Sequence, residues 1–294
     1  MFNKILIATV MLCLLFAGCS NDNGSESNKT LVPVTVHVND FTITQEEFPT
    51  TRSTDIGSYA TAKAITLAFY KNDGTEMYKH TQFKSDNTTY TTFGEFTTSL
   101  PMGSYTMVVI GYGQGSTSHA VTLTSPTAAG FDDYVRETFV ATQAVSVINT
   151  DEIELTATLD RIMAKVSVIS TDGHSAAVTS IRTTFSGGSR SFNPSTGLAT
   201  DDTGFANTVA TSVAVGTATT ISSGVFLATD EQIMDITIET LDANDNVLFS
   251  KTVKNVPLKR NRITTLTGAM YGASTSSGSF KLNTDWLPGN TINF

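Results

Sequence analysis

The chain has 294 residues, 18 lysines and arginines against 27 aspartates and glutamates, and a formal net charge of −9. Cations so few and so outweighed disfavour a phosphate backbone as partner, so no nucleic acid is expected. Charged residues make up only 15% and cysteines number two, in a mix rich in threonine, valine, serine and glycine. That mix suits an exported all-β protein held together by its core.

Residues 1–18 read as an export signal. Lys4 gives a positive start, and Ile5 to Phe16 is apolar. At about a dozen residues this run falls short of the roughly 20 that span a bilayer and fits the apolar region of a signal. Residues 19–30 follow as a tether of Asn, Ser, Gly and Glu with nothing to bury. Phe16-Ala-Gly-Cys19 resembles a bacterial lipobox. The resemblance implies cleavage before Cys19, lipid on its sulfur and an acyl chain such as palmitate on the new amine. Several chains together hold a protein stably at a membrane. Cys13 leaves with the signal, so no disulfide is expected in the mature chain.

Strand patterns dominate the rest. Val34 to Val38 alternates strictly and is followed by Phe41 and Ile43. Ala64 to Tyr70 is a second run, closed by the turn Lys71-Asn-Asp-Gly74. Phe93 to Leu100, the turn Pro101-Met-Gly103 and Ser104 to Ile110 form a hairpin. Its Leu-Pro-x-Gly-x-Tyr pattern is similar to the late hairpin of transthyretin-like sandwiches, where a tyrosine ring is buried and its hydroxyl reaches backbone. Gly111 to Ser118 and Pro126 to Asp133 read as loops. A domain boundary is placed near Asn149 to Asp151, giving an N-terminal β-sandwich over 31–150 and a C-terminal one over 151–294. The second unit opens with Ile153, Leu155 and Leu159 to Ile169. Further strands follow at Val178 to Phe185, Gly224 to Ala228, Met234 to Leu241, Val247 to Val253, Ile263 to Met270 and Gly278 to Asn283, with Asp242 to Asn246 as a turn. Many short strands with regular turns argue for sandwiches.

Chemistry-bearing motifs are sparse. His37, His80, His119 and His174 stand at no metal-ligand spacing and have no cysteine partner. Gly111-Tyr-Gly-Gln-Gly115 follows a strand but precedes a strand pattern, whereas a phosphate site needs a helix N-terminus. Asp242-x-Asn244-x-Asn246 begins like a calcium loop, but Val247 stands where glycine and Val253 where glutamate is required. The pairs Asp132-Asp133 and Asp201-Asp202 read as solvated turns. No catalytic residue, metal or cofactor is expected.

Three segments carry a resemblance to the fimbrillin family of Bacteroidota-type fimbriae. They are Leu159-Asp-Arg-Ile-Met-Ala-Lys-Val166, the segment Val256-Pro-Leu-Lys-Arg-Asn-Arg262 leading into Thr264 to Gly268, and the closing Phe280-Lys-Leu-Asn-Thr-Asp-Trp286. The resemblance implies two tandem transthyretin-like Greek-key β-sandwich domains and no catalysis. It also implies export to the outer membrane as a lipoprotein, then proteolysis after an arginine that removes the lipid and the first strand. A neighbouring subunit's strand then fills the groove, making the chain a structural or adhesive fimbrial subunit with other subunits as partners and a host or bacterial surface receptor as a further one.

The residues suit that scheme. The strand carrying Val34, Val36, Val38, Phe41 and Ile43 comes first, on a tether. Arg52, before Ser53, is the first arginine and follows Pro49 in a Thr-rich segment suited to proteolysis. Phe280, Leu282, Trp286, Leu287, Ile292 and Phe294 form a candidate donor tail, with pairing inside its own chain as the alternative. The Lys259-Arg260-Arg262 cluster reads as a strand-entry loop facing acidic neighbours. The rival readings are an anchor subunit that keeps its lipid and a surface glycan-binding lipoprotein with Trp286 and Tyr112 as stacking rings.

Overall fold

The computed structural model describes residues 30–42, 54–55, 59–86, 88–272 and 281–282, and every regular element among them is a β-strand. The first ten are β1 (Leu31–Thr42), β2 (Thr54–Asp55), β3 (Ala64–Lys71), β4 (Glu76–Phe83), β5 (Glu95–Pro101), β6 (Gly103–Tyr112), β7 (Thr122–Ser125), β8 (Ala128–Gly130), β9 (Thr138–Val147) and β10 (Ile153–Arg161). The next ten are β11 (Ala164–Gly173), β12 (Ser180–Phe185), β13 (Ser191–Asn193), β14 (Leu198–Ala199), β15 (Phe205–Ala210), β16 (Ala218–Val225), β17 (Glu231–Leu241), β18 (Val247–Lys259), β19 (Ile263–Gly268) and β20 (Lys281–Leu282). The all-β character read from the sequence is observed.

Two sets of seven strands share one connectivity. In the first, the arm β5-β1-β10 faces the arm β9-β6-β3-β4. The arms meet where Asp160 and Arg161 of β10 pair with Val140 and Phe139 of β9. Between them lies a core that includes Val34, Leu67, Phe69, Phe96, Met107, Phe139 and Leu159. In the second set, β16-β11-β19 faces β18-β17-β12-β15 over Val166, Ile181, Phe185, Ile236, Val256 and Leu266. The strands β1, β3, β4, β5, β6, β9 and β10 correspond in order to β11, β12, β15, β16, β17, β18 and β19. In each set the opening strand runs antiparallel to one neighbour and parallel to the other.

Sheet membership does not change where the sequence placed the boundary. β10 follows residue 150 yet runs parallel to β1, with Val34 opposite Ile153 and Val38 opposite Ala157. The chain passes to the second set through Ile162 and Met163. A parallel partner is fixed by distant residues and leaves no local signature, so the linker near Asn149 was the more visible break.

The sets are joined at a waist. The sheet β14-β13-β8-β7 draws strands from both halves, with Phe192 of β13 opposite Ala129 of β8. The segment from Pro126, expected as loop, contributes β8, because two- and three-residue strands show no periodicity. Rings continue the junction. Tyr112 meets Phe131 at 5.9 Å, Phe131 stacks on Phe226 at 6.3 Å, and Phe226 meets Phe192 at 4.5 Å. Gly224 pairs with Val135 across the halves. A Cβ there would lie 2.9 Å from the Val135 carbonyl oxygen, so the approach requires glycine.

Candidate functional site

The feature that answers most directly to the expected strand exchange is the seat of β1. This strand is flanked on both sides. Leu31 to His37 pairs with β5, Val34 to Thr42 with β10, and Asp40 and Phe41 also with β2. Val38 N–H additionally donates to the Gly94 carbonyl at 2.8 Å. Val32, Val34, Val36 and Val38 all face the core with at most 1% exposure. Each fully buried valine contributes roughly 1.5–3 kcal/mol. The opposite face is wet, where Thr35 donates to Glu152 at 3.3 Å and His37 lies 3.5 Å from Glu95.

Of the expected strand residues, Val34, Val36 and Val38 line this seat. Phe41 stands opposite Leu159 by backbone register, and Ile43 lies outside the described residues. The pairing slips between Val38 and Asp40. That inserted residue accounts for the sequence alternation moving from even positions to Phe41. Val32 was missed because Pro33 interrupts the apolar pattern. Pro33 is accommodated because pairing with β10 starts only at Val34.

Cys19, Arg52 and Ser53 lie outside the described residues, as do Phe280, Trp286, Leu287, Ile292 and Phe294. Leu282 is in β20, its backbone paired with Leu266 of its own chain. The chain leading to that segment is tied down, because Asp172 accepts the N–H groups of Met270 and Tyr271 at 2.8 Å each.

The first two resemblance-bearing segments meet. Arg161, with 1% of its side chain exposed, pairs with Glu137 at 2.6 Å. It donates to the Tyr59 hydroxyl at 3.0 Å and to Asn261 Oδ1 at 2.9 Å, and lies 4.8 Å over the Phe139 ring. Asn261 adopts φ 58, a left-handed conformation that asparagine tolerates better than most residues, and its N–H donates to the Met163 carbonyl. These segments are therefore the lock of the waist. The lock also holds Tyr59, whose hydroxyl donates to Glu137 at 2.9 Å. Downstream of Arg52, β2 still pairs with β1, but from Tyr59 onward the chain is fastened to the waist rather than to β1.

An open cleft of about 940 Å³ lies beside this lock, lined by Thr142, Asp160, Asp230, Glu231, Lys259 and Arg260 among others. Lys259 pairs with Glu231, and Arg260 pairs with Asp230 at 2.9 Å, as the strand-entry reading of the basic cluster expects.

Other expectations resolve locally. Tyr112 is 0% exposed with its ring against Phe131, so it presents no surface for sugar stacking and that role is corrected. Asp242 accepts N–H bonds from Asn244 and Asn246 at 2.8 and 2.9 Å, a turn and not a calcium loop. His119, Asp132 and Asp133 converge, which their spacing did not suggest, but Asp133 is gripped by the buried Arg136, whose Nη2 donates to it at 2.8 Å. A guanidinium there opposes a metal cation.

Burial alone would raise the Asp133 carboxyl, but the hydrogen bonds from Arg136 and from the Tyr134 N–H, with the Arg136 charge, outweigh it and hold it below the usual range. Its contribution to stability is present above the unfolded value of about 3.9 and is lost as pH falls through the lower folded value. The melting-temperature gap between wild type and Asp133→Asn is therefore expected at pH 7 and should shrink below about pH 4. A gap that widens in acid would contradict the assignment.

The family model described as "Family of unknown function (DUF6562)" matches residues 27–286. No curated relative matches the chain. Among solved structures, a candidate adhesin of Bacteroides ovatus aligns over 82% of this chain and 88% of its own at 12% identity, with a TM-score of 0.51. A second candidate adhesin of that organism aligns over 88% and 97% at 11% identity, also with a TM-score of 0.51. The fimbrial anchor protein Mfa2 of Porphyromonas gingivalis aligns over 86% and 98% at 12% identity, with a TM-score of 0.48. At these identities the two Bacteroides structures show a shared fold.

Proposed function

The chain belongs to that family, DUF6562, and we propose that this member is a non-enzymatic structural and adhesive subunit of a cell-surface fimbria, joined to its neighbours by exchange of β1. In this reading the export signal is removed, Cys19 carries lipid into the outer membrane, and the two seven-strand sets are tandem transthyretin-like domains. A cut after Arg52 then frees the lipid together with β1, and a strand of another subunit takes its place.

The observation that carries the reading is the interior position of β1. A strand at a rim could leave without consequence. Loss of this one uncovers the core beneath four buried valines and strips partners from the facing edges of β5 and β10. Such an edge pair is a template for an added strand. The fastening of Tyr59 at the waist supports it, since the remainder of the chain keeps its lock when the strand goes. The family resemblance in sequence and the fold shared with candidate adhesins point the same way.

The test is N-terminal sequencing of protein taken from the surface of expressing cells, beside an Arg52→Ala variant. The expected mature start is Ser53, and the variant should remain uncut and unassembled. Assembly of the variant at the wild-type level would defeat the cleavage scheme. Surface protein that keeps lipidated Cys19 would instead make the chain an anchor.

A further inference from the structure

We propose that the groove under β1 is gauged for a strand carrying four valine-sized side chains at alternate positions, and that this strand is borne by a different subunit rather than by residues 280–294 of a second copy. The inference rests on the exchange reading and names its partner by chemistry. Val32, Val34 and Val36 are 0% exposed and Val38 1%, so the four alternate positions from Val32 to Val38 are each filled by a small β-branched group. Large neighbours set the depth. Phe69, Phe96 and Tyr105 belong to the same packed core, and Tyr105 is pinned by its hydroxyl donating to the Pro101 carbonyl at 2.6 Å. A core at crystal-like density takes added carbons badly, because rings must leave their rotamers.

The 280–294 segment does not meet that gauge in any register. Along its even positions, every run of four alternate residues includes Trp286 or Phe294. Along its odd positions, every such run includes Asn283, Asp285 or Asn293. Either choice forces a ring into a valine pocket or buries an unpaired polar group. Part of the segment is also engaged at home, since Lys281 and Leu282 pair with β19. A strand of the kind now in place, Val-x-Val-x-Val-x-Val, meets every pocket.

The experiment uses the full chain cut at Arg52, with the released fragment left in its seat, and follows its displacement by labelled peptides. The probes are residues 31–42, the same peptide carrying Val36→Trp, and residues 280–294. The 31–42 peptide should exchange in, and the other two should be captured on the order of 100-fold more weakly. Equal capture of the 280–294 peptide overturns the gauge while leaving exchange intact. If no peptide displaces the fragment, strand exchange itself fails. In the uncut chain Val36→Trp should lower the melting temperature far more than Val36→Ile, which adds a single carbon. A Val36→Trp chain that melts with wild type also overturns the gauge.

Discussion

Val36→Asp should destabilise the full-length chain by about 3–5 kcal/mol, enough to unfold the first strand set at ambient temperature. Val36 is fully buried, stands opposite Phe96 on one side and Leu155 on the other, and has only core side chains above it. A carboxylate there would be shut away from solvent among apolar side chains. Thr35→Lys is the control, since Thr35 points to the wet face beside Glu152. Its effect should stay within about 0.5 kcal/mol. Denaturant unfolding of both variants reads the difference. If Val36→Asp unfolds like the control, β1 does not cover the core and the seat loses its meaning.

Arg161→Met should cost about 3–5 kcal/mol, because it leaves Glu137 as a largely buried charge without its partner. It also removes the donor to Asn261 and to Tyr59, so both the waist and the anchor of the chain after β2 are loosened. The double variant Glu137→Leu with Arg161→Met removes the charge as well as its partner, and should recover a large part of the loss. Unfolding measurements on the two single variants and the double close this cycle. Simple additivity would mean that the pair does not act as a lock.

How much of this was legible in the sequence varied with how local each feature is. The strand at Val34 to Val38 declared itself by strict alternation, and the turn at Gly74, φ 85, by its glycine. The Pro101-x-Gly103-x-Tyr105 corner gave the buried ring whose hydroxyl bonds backbone four residues back. The acidic partners of Lys259 and Arg260 were likewise anticipated. What was hidden needed distant residues. β10 joined the first set because its partner β1 lies far upstream and runs parallel to it. β4 shows no clear strand pattern, because Lys79, His80 and Thr81 interrupt the alternation. β13 is defined by its pairing with β8 and β14, each too short to show a pattern of its own. The Arg161–Asn261 contact joined two segments that the sequence could show only as separate marks of resemblance.

The repeat of one connectivity in both sets bears on function. β11 holds between β16 and β19 the place that β1 holds between β5 and β10. β11 is joined at Ile162 and Met163 directly to the waist. β1 is joined to the rest of the first set only through the segment that carries Arg52. In the proposed scheme the same structural position is therefore kept in one set, and in the other a single cut after Arg52 severs its covalent link to the rest of the set.

The most direct test is peptide mapping with hydrogen exchange on assembled protein recovered from cell surfaces. Residues 31–42 should be missing from the assembled molecules, while the amides of β5 and β10 stay as protected as in the uncut chain because another strand covers them. Assembled molecules that still contain Val32 to Val38 in full proportion would contradict it.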